Sequence, residues 1–384
     1  MGEGNFTKDI VVIPVESEKD RADFLHFPWQ VQGNDPCWVA PVLSEQKHIL
    51  DPHKGPFFEF GEAQYFLAFY NGRPAGRISA HVSRRYEEHH DTETGFFGFF
   101  ECVEDRRVAG ALFDAAAAWL AKRGKKRIQG PLSFTIYDEV GLLVEGFDSL
   151  PAFLQTHNPP YYEDLLVSWG FRKAIDWYAL RVTNTDIDFV GMKKRLDDIM
   201  RGQGLVLTYP KPGDFVRRAE EVLEIFNESW DDNWGHVPLT KRQFEDIFKQ
   251  LRPLLRPQLI DLIMDGDKIA AFVMTIPDLN PSIQKLNGRL SILDQLKLLY
   301  EARFKPVRKV RTLLLGVRRS YQRRGLHHAL ILSTYMRIAR QPTVEVCDCS
   351  LIPEQLSFYI RTLEKYGAER YKTFRIYEKM INDQ

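Results

Sequence analysis

The sequence predicts a mixed α/β fold made of two successive copies of one arrangement of strands and helices. At 384 residues the chain is longer than one ordinary hydrophobic core needs, so two domains are the natural expectation. The apolar patterns also give nearly the same order of strands and helices in both halves, which indicates a tandem duplication. We place the boundary near Thr185, in the polar segment 184–204, and predict domains over residues 1–184 and 185–384.

The first half alternates between strand-like and helical apolar patterns. Asn71-Gly72 joins two β-favouring runs, which is a strong signal for a hairpin. The helix over 108–121 is rich in alanine, which suits close packing on a sheet. In chain order we predict a strand over 10–15, a helix from 20, strands over 64–70, 74–82 and 95–103, the helix over 108–121, a strand over 127–130, a helix over 161–168 and a strand over 171–182.

The second half repeats this order, with a helical insertion over 290–303. Asp265-Gly266-Asp267 separates two apolar runs as a second hairpin turn would. In chain order we predict a strand over 205–209, helices over 215–226 and 239–254, strands over 259–264 and 269–276, the insertion, a strand over 312–317, a helix from 326, a strand over 343–351, a helix over 354–366 and a strand over 368–379.

Composition narrows the class of protein. Basic and acidic residues number 52 each, so the net charge of zero does not call for nucleic acid or an anionic membrane as a partner. The cysteines lack the spacing of a metal site, and Cys347 and Cys349 would share one face of a strand as small core residues. We find neither a signal-peptide pattern nor an apolar run of membrane-spanning length. We therefore predict a cytoplasmic protein with no metal, nucleic-acid or membrane partner; whether it forms a homodimer stays open.

Residues 310–340 have the order strand, basic turn, helix. The turn reads Arg318-Arg319-Ser320-Tyr321-Gln322-Arg323-Arg324-Gly325, and a helical pattern starts at Leu326. The first amides of a helix have no partner inside it, and the helix dipole favours negative charge there. The corner could therefore bind a phosphate, with the arginines adding charge-assisted hydrogen bonds. The alternative is a buried strand, a solvated turn and an ordinary packing helix, and the local sequence does not choose between them.

On these residues, the segment 205–379 resembles an acyltransferase domain of the GNAT superfamily. The resemblance implies that the main-chain amides of a Gln/Arg-x-x-Gly-x-Gly/Ala turn hold the pyrophosphate of acetyl-CoA or another acyl-CoA. It also implies that Leu315 and Val317, on the preceding strand, lie at the cofactor. The matching turn is Gln322-Arg323-Arg324-Gly325-Leu326-His327, in which His327 stands where Gly or Ala is usual.

The whole chain also resembles a family of bacterial proteins with two GNAT-like halves, through Gly98–Glu101, Gly130-Pro131, Gly141–Asp148, Asn158–Tyr162 and Tyr371–Tyr377. The resemblance implies a tandem duplicated GNAT-like acyl-CoA N-acyltransferase fold. In the first half the equivalent turn, residues 101–110, lacks the glycine pattern and carries three acids near its start, which would repel a pyrophosphate. We therefore expect this half to bind no CoA.

Acyl transfer to an amine needs a deprotonated nucleophile, a polarised thioester carbonyl and a proton for the leaving thiolate. The resemblance implies a tyrosine acid midway along the helix after the fifth strand, but Leu363 occupies that position and Leu356 occupies that of the usual asparagine. Tyr359 lies one helical turn away and is our candidate acid. The alternative is a tyrosine that packs on the sheet.

The acceptor side has a polar and aromatic cluster, residues 227–238, which we call the acceptor loop. Trp230, Asn233 and Trp234 could bind a cationic or amine-bearing molecule through cation–π contacts and charge pairing. His236 could act as the base, since the ordinary pKa of histidine is ~6.5. The alternative is a capped loop whose tryptophans fill the core.

The first half adds a second candidate contact with the acceptor at residues 157–162. Here Asn158 and Tyr161 would present an amide and a phenol at the start of a helix. The alternative is an asparagine cap with prolines in the first turn and tyrosines packed below it.

Three functions remain open. The first is an acyl-CoA-dependent N-acyltransferase, with acetyl-CoA as the expected donor and a small-molecule amine as acceptor. The second, favoured by His327, Leu356 and Leu363, is a non-catalytic protein that binds acyl-CoA or a small ligand on a degenerate tandem GNAT fold. The third is an aminoacyl-tRNA-dependent transferase, against which the neutral charge counts because tRNA binding needs an extended basic face.

Overall fold

The computed structural model describes residues 10–183, 188–211 and 213–381. Among these, the strands are β1 (Ile10–Pro14), β2 (Gly61–Tyr70), β3 (Arg73–Ser83), β4 (Thr94–Cys102), β5 (Arg127–Gly130), β6 (Leu142–Glu145), β7 (Arg172–Thr183), β8 (Val206–Thr208), β9 (Ile260–Asp265), β10 (Lys268–Pro277), β11 (Lys309–Val317), β12 (Val346–Pro353) and β13 (Glu369–Met380). The helices are α1 (Glu18–Gln32), α2 (Leu43–Leu50), α3 (Arg84–His89), α4 (Arg106–Ala121), α5 (Tyr162–Ser168), α6 (Phe189–Met200), α7 (Asp214–Arg217), α8 (Ala219–Trp230), α9 (Lys241–Leu251), α10 (Asn280–Ile283), α11 (Ile292–Phe304), α12 (Leu326–Ala339) and α13 (Ser357–Lys365). No helix of these residues is long and apolar enough to cross a bilayer.

The described residues form two compact units. Unit 1 contains residues 10–176, 283–290 and 373–381, and unit 2 contains the described residues of 177–282 and 291–372. The division therefore falls inside β7 and inside β13. The boundary predicted between residues 184 and 185 lies on 184–187, outside the described residues, so the division into sequence halves stays a prediction.

Unit 1 is a sheet in which β1 to β5 pair in chain order, antiparallel except for β4 and β5. The predicted hairpin is confirmed, with Asn71 and Gly72 at φ +50° and +74° between β2 and β3. Strand β13 completes the sheet: its residues 377–380 pair with β5 and its residues 373–375 with β6. The core packs α4 on this sheet through Leu112, Phe113 and their neighbours.

Unit 2 is a sheet in the order β8, β9, β10, β11, β12 and the end of β7. All pairs are antiparallel except β11 with β12. Helix α12 packs through Leu326, Ala329 and Leu330 in the core that covers this sheet. The predicted strand-and-helix order of the second half is confirmed within the described residues, apart from the helix over 215–226, which is divided at Arg218 into α7 and α8.

The structure contains one long helix that the sequence analysis missed. The segment 184–204 was predicted to be a polar boundary, yet α6 occupies residues 189–200 of it. Met192 and Leu196 lie one helical turn apart and are buried, with Ile199 packed beside them, against the core that contains α12. The buried apolar face of α6 is narrow and most of its other residues are polar. The average hydropathy of the segment is therefore low, and the segment resembles a linker in its composition. Short helices such as α2 and α3, and strand β6, were also missed.

Candidate functional site

The site begins where β11 and β12 separate. The two strands pair in parallel only from Lys309 with Val346 to Thr312 with Cys349. In the same region the pairing of β11 with β10 skips Leu313, which is an extra residue in a β-bulge. A bulge increases the local twist of a strand, so the end of β11 diverges from β12 and leaves a gap between them.

The turn after β11 presents free main-chain amides at the N-terminus of α12. Gly325 is the N-cap residue at φ +77°, and no side chain caps the helix. In the described part of the chain, the amides of residues 323–328 have no hydrogen-bond partner. A Cβ atom at Gly325 would lie 3.3 Å from Ile199 on α6. The corner therefore requires glycine for its backbone and leaves a row of donors able to hold an anion.

Unit 1 differs at the equivalent place, as the sequence predicted. The N-cap of α4 is Asp105, whose carboxylate accepts a hydrogen bond from the amide of Arg107 at 2.9 Å. The same carboxylate pairs with the guanidinium of Arg107 at 2.6 Å. The chain itself therefore supplies the negative charge at this helix end, and a pyrophosphate would meet a carboxylate there.

The arginines of the basic turn divide into two pairs. Arg318 lies within 4.0 Å of three carboxylates of α8, and Arg319 forms an ion pair with Asp231 at 2.5 Å. Arg323 and Arg324 are exposed and form no ion pair with any described residue. The first pair fixes the turn to α8, and the second pair is available to a ligand phosphate.

A small cavity of about 30 Å³ lies where β11 and β12 separate, between α12 and α13. Its lining is mostly apolar, with a few hydroxyl and thiol groups. The lining residues are Val182, Val273, Thr312, Leu315, Ile331, Thr334, Tyr335, Ile338, Cys347, Cys349, Tyr359, Leu363 and Tyr366. This volume is far below the roughly 300–1,000 Å³ of drug-sized ligand sites, so the cavity as it stands has room for a small group only. The amide row and the cavity are thus built on the same helix, α12.

Tyr359, the candidate acid, lines this cavity together with Leu363, as their spacing on α13 predicts. Its hydroxyl has no hydrogen-bond partner among the described residues. Burial, followed by the nearby thiols of Cys349 and Cys347, raises the pKa of Tyr359 far above its ordinary value of 10. The phenol is therefore a neutral proton donor throughout the physiological pH range.

The predicted cofactor residues Leu315 and Val317 already use their main-chain groups. The carbonyl of Leu315 accepts from the indole of Trp230 at 3.3 Å, and the amide of Val317 donates to the hydroxyl of Ser229 at 3.2 Å. Leu315 instead contributes its side chain to the cavity. These two bonds also place the end of α8, where the acceptor loop starts, directly beside β11.

The two histidines after Gly325 point away from the amide row. The ring of His327 lies 5.7 Å from that of Phe358, and Nε2 of His328 lies 2.8 Å from the hydroxyl of Tyr366. Burial lowers the pKa of both imidazoles, so both are neutral near pH 7. His327, although larger than the usual Gly or Ala, therefore packs on α13.

The acceptor loop is more deeply built into unit 2 than the sequence suggested. Asn233 and His236 are buried, and the His236 ring packs beside that of Phe226. Trp234 is half-buried, and Trp230 packs on Phe226 at 5.1 Å. Among the described residues that line the cavity, none comes from this loop. The structure thus does not bring His236 together with Tyr359.

The candidate contacts of the first half are engaged within unit 1. Asn158 bonds both main-chain groups of Leu143, at 2.7 Å and 3.2 Å, and so braces β6. The hydroxyl of Tyr161 donates to the carbonyl of Cys102 at 2.7 Å. Both residues are therefore used within unit 1, but the predicted asparagine cap is wrong, because the N-cap residue of α5 is Tyr161 and Asn158 bonds β6 instead.

A buried polar cluster was not singled out from the sequence. The carboxylate of Asp348 accepts from the hydroxyl of Tyr371 at 2.6 Å and from that of Ser350, and lies 3.6 Å from Nε of Arg311. Asp348 does not line the cavity, whereas its neighbours Cys347 and Cys349 do, as the alternation along a strand predicts. The signal available in the sequence was a charged residue between two cysteines in an apolar strand.

Comparisons with known proteins agree with this architecture. No protein-family model matches the chain. The chain is 34% identical over 369 residues to Protein YghO of Escherichia coli strain K12, covering 95% of this chain and 94% of that protein. It is 31% identical over 383 residues to the bacterial ceramide synthase of Caulobacter vibrioides, covering 97% and 98%.

Solved structures give the fold. A tandem GNAT protein from the clavulanic acid biosynthesis pathway superposes with a TM-score of 0.54 at 12% identity, covering 98% of this chain and 100% of its own. The GCN5-related glucosamine N-acetyltransferase region of a fungal multi-domain GH3 β-N-acetylglucosaminidase gives a TM-score of 0.54 at 12% identity, covering 97% of this chain and 38% of its own. The tandem GNAT-like fold predicted from the sequence is confirmed.

Proposed function

The chain belongs to the family that includes Protein YghO of Escherichia coli and the bacterial ceramide synthase of Caulobacter vibrioides, and on this premise we propose that it is an N-acyltransferase. A ceramide is the amide of a fatty acid with a long-chain amino alcohol. We assign this chain the same class of reaction, with a long-chain acyl-CoA as donor and a long-chain amino alcohol as acceptor.

The observation that carries the proposal is that α12 joins an anion-binding corner to an apolar cavity. The amides of residues 323–328, with Arg323 and Arg324 beside them, would hold the pyrophosphate of CoA. The cavity would contact the start of the acyl chain, because its lining is mostly apolar. We propose a long acyl group in place of the acetyl group predicted from the sequence because the bacterial ceramide synthase of the same family makes a fatty-acid amide. The cavity, at about 30 Å³, would have to widen to take more than the start of such a chain.

In the reaction, the neutral amine attacks the thioester carbonyl, and the tetrahedral intermediate expels the CoA thiolate. We assign Tyr359 as the acid that protonates this thiolate, because its phenol lies in the cavity and stays protonated. The proton that the nitrogen loses as the amide forms returns to the phenolate of Tyr359, which restores the acid. We give His236 no part in the transfer, since its ring is buried beside Phe226 and does not line the cavity. The amine therefore enters in its neutral form.

A non-catalytic acyl-CoA binding protein is the second candidate. It is favoured by Leu363, which occupies the usual position of the acid and lines the cavity with an alkyl chain. The absence of acceptor-loop residues among the described residues of the lining also favours it.

One assay separates the two candidates. Purified protein is mixed with palmitoyl-CoA and sphinganine, thiol release is followed with a chromogenic disulfide, and the amide product is identified by mass spectrometry. Thiol release with formation of the N-palmitoyl amide supports the transferase. A rise in melting temperature with palmitoyl-CoA, without thiol release across a panel of long-chain amines, supports the binding protein. Turnover with acetyl-CoA but not palmitoyl-CoA overturns the long-chain assignment.

A further inference from the structure

Helix α11 exposes a continuous apolar face. Its apolar side chains with exposed fractions between 41% and 77% are Ile292, Leu293, Leu296, Leu299, Tyr300 and Phe304. With about 100° between successive residues of a helix, these side chains fall within an arc of roughly 140°. Ala302, on the other side, is buried. Monomeric soluble proteins rarely expose large apolar side chains at such density, so this face is suited to binding.

The helix is held firmly with this face outward. At its start, Ser291 and Asp294 form a capping box. At its end, the guanidinium of Arg256 donates to the carbonyls of Ala302 at 2.5 Å and of Lys305 at 2.9 Å. The capping box stabilises the first turn of the helix itself, and the contacts of Arg256 fix the end of the helix to the rest of unit 2.

The charges around the face are cationic. Arg303 lies within the arc and Lys297 at its edge; both are exposed and form no ion pair with any described residue. The acids of the helix lie on the other side, where Asp294 bonds Ser291 and Glu301 bonds Ser282 and Lys305. The exposed surface thus combines large apolar groups with unpaired cations, which is the chemistry of a helix that lies in the headgroup region of an anionic bilayer.

We propose that α11 docks the protein on the surface of an anionic phospholipid bilayer. The inserted aliphatic side chains would enter the acyl boundary, and the long side chains of Arg303 and Lys297 would reach back to the phosphates. A second copy fits this face less well. A twofold contact would press the same cations of both copies together in an apolar interface, with the acids on the wrong side to compensate them.

This inference rests on the proposed function, because docking would bring the enzyme to its substrates. Long-chain amino alcohols and acyl chains partition into bilayers. We predicted no membrane partner from the net charge of the whole chain. That sum does not reveal a cationic and apolar face on a single helix. Peripheral docking also needs no membrane-spanning helix.

The test is vesicle flotation of the full-length protein. Vesicles of phosphatidylcholine with about 30 mol% phosphatidylglycerol are compared with vesicles of phosphatidylcholine alone. The double variant Leu296→Ser/Phe304→Ser removes two exposed side chains of the face, and Val190→Ser, at an 82% exposed position on α6, is the matched control. We expect the wild type and Val190→Ser to float with the anionic vesicles, and the double variant to bind at least about tenfold less. High salt should weaken the wild-type binding.

Other results would overturn the inference. One is equal flotation of the double variant and the wild type, and another is an equal loss in Val190→Ser. A third is a wild type that ignores vesicles but forms a dimer in light scattering that the double variant dissociates, which would make the face a chain–chain interface. Acyl transfer with detergent-dispersed palmitoyl-CoA and sphinganine is measured in parallel. Transfer without flotation refutes only the docking, and flotation without transfer refutes only the proposed reaction.

Discussion

Gly325 and Asp105 are the N-cap residues of α12 and α4, and they differ in whether a side-chain carboxylate is present. Asp105 fills its helix end with a carboxylate, while Gly325 leaves its own open. In the proposed function this difference decides which unit holds the diphosphate of CoA. The two helix ends were predictable from the sequence, because aspartate caps a helix N-terminus and glycine leaves its amides open.

We predict that Gly325→Glu abolishes binding of acyl-CoA. The new carboxylate would repel the pyrophosphate, and its Cβ would lie 3.3 Å from Ile199. The check is thermal unfolding with and without palmitoyl-CoA, where the ligand-induced rise should vanish. Gly72→Glu, at φ +74° in the hairpin of unit 1 with open space around it, is the control for backbone strain. A retained shift in Gly325→Glu would remove the anion site from the proposal.

We predict that Tyr359→Phe lowers kcat by about a hundredfold and leaves KM for acyl-CoA nearly unchanged, because the lost proton matters only in the transition state. The alternative, a tyrosine that only packs, predicts no change in kcat at equal stability. Kinetics with palmitoyl-CoA decide between them. Tyr335→Phe, on α12 in the same cavity, is the matched control.

The pH profile follows from the same residue. Burial raises the pKa of Tyr359 above 10, so the phenol stays protonated as the pH rises. The acceptor amine loses its proton over the same range and becomes the nucleophile. We therefore predict that kcat/KM rises from about pH 7 toward pH 9 without an alkaline fall. A descending limb below pH 9 would contradict Tyr359 as the acid.

Polar residues were the hardest to place from sequence. Trp234, His236 and Asn158 are residue types that often contact ligands. Residue type alone does not reveal whether such a side chain is already buried or hydrogen-bonded within the protein. The side-chain amide of Asn158 is hydrogen-bonded to β6, and His236 is buried. The motif residues around Gly325 were easier, because their role depends on backbone geometry that a local pattern can specify.

At the scale of the element, the cap that Asp105 forms at the N-terminus of α4 can be tested by mutation. We predict that Asp105→Ala lowers the free energy of unfolding by about 1 kcal/mol, since the amide of Arg107 loses its acceptor. Chemical denaturation measures the loss. Asp105→Asn, which keeps an acceptor oxygen, should recover most of it. Equal losses in both variants would show that the ion pair with Arg107 matters more than the cap.

Strands and hairpins were predicted well because Asn71-Gly72 and the alternating runs specify local geometry. Helix α11 was also predicted, but its exposed face was not. A signal was present, since apolar residues occur on more of this helix than one packing face requires. Which side of it stays uncovered depends on contacts such as that of Arg256, which lies about 50 residues earlier in the chain and which no local pattern predicts.

At the scale of the whole molecule, each unit is completed by strand residues from the other half of the sequence. The segment 373–381 belongs to unit 1, where its side chains of Phe374, Ile376 and Tyr377 are buried. Arg375 of the same segment forms an ion pair with Asp176 at 2.7 Å. Residues 177–183 of β7 pair with β12 in unit 2. The element order correctly indicated a duplication, but pairing between distant strands cannot be read from local patterns, so the exchange was not foreseen.

We predict that a fragment ending at residue 183 does not fold. It lacks the strand that pairs with β5 and β6, so those edges and the apolar surface under Phe374 would be exposed. Circular dichroism and cooperative melting measure the outcome. The same fragment with residues 371–381 joined through a flexible linker should regain a melting transition. A cooperative transition in the short fragment would contradict the exchange of strands.

This exchange constrains how the gene can change over time. In the proposed function only the helix corner at Gly325 holds a phosphate, because Asp105 fills the corresponding helix end of the first half. We therefore expect that neither half can be deleted, because each one supplies a strand segment that pairs within the other unit. A half that lacks a phosphate corner of its own would thereby be kept for as long as the other half is useful.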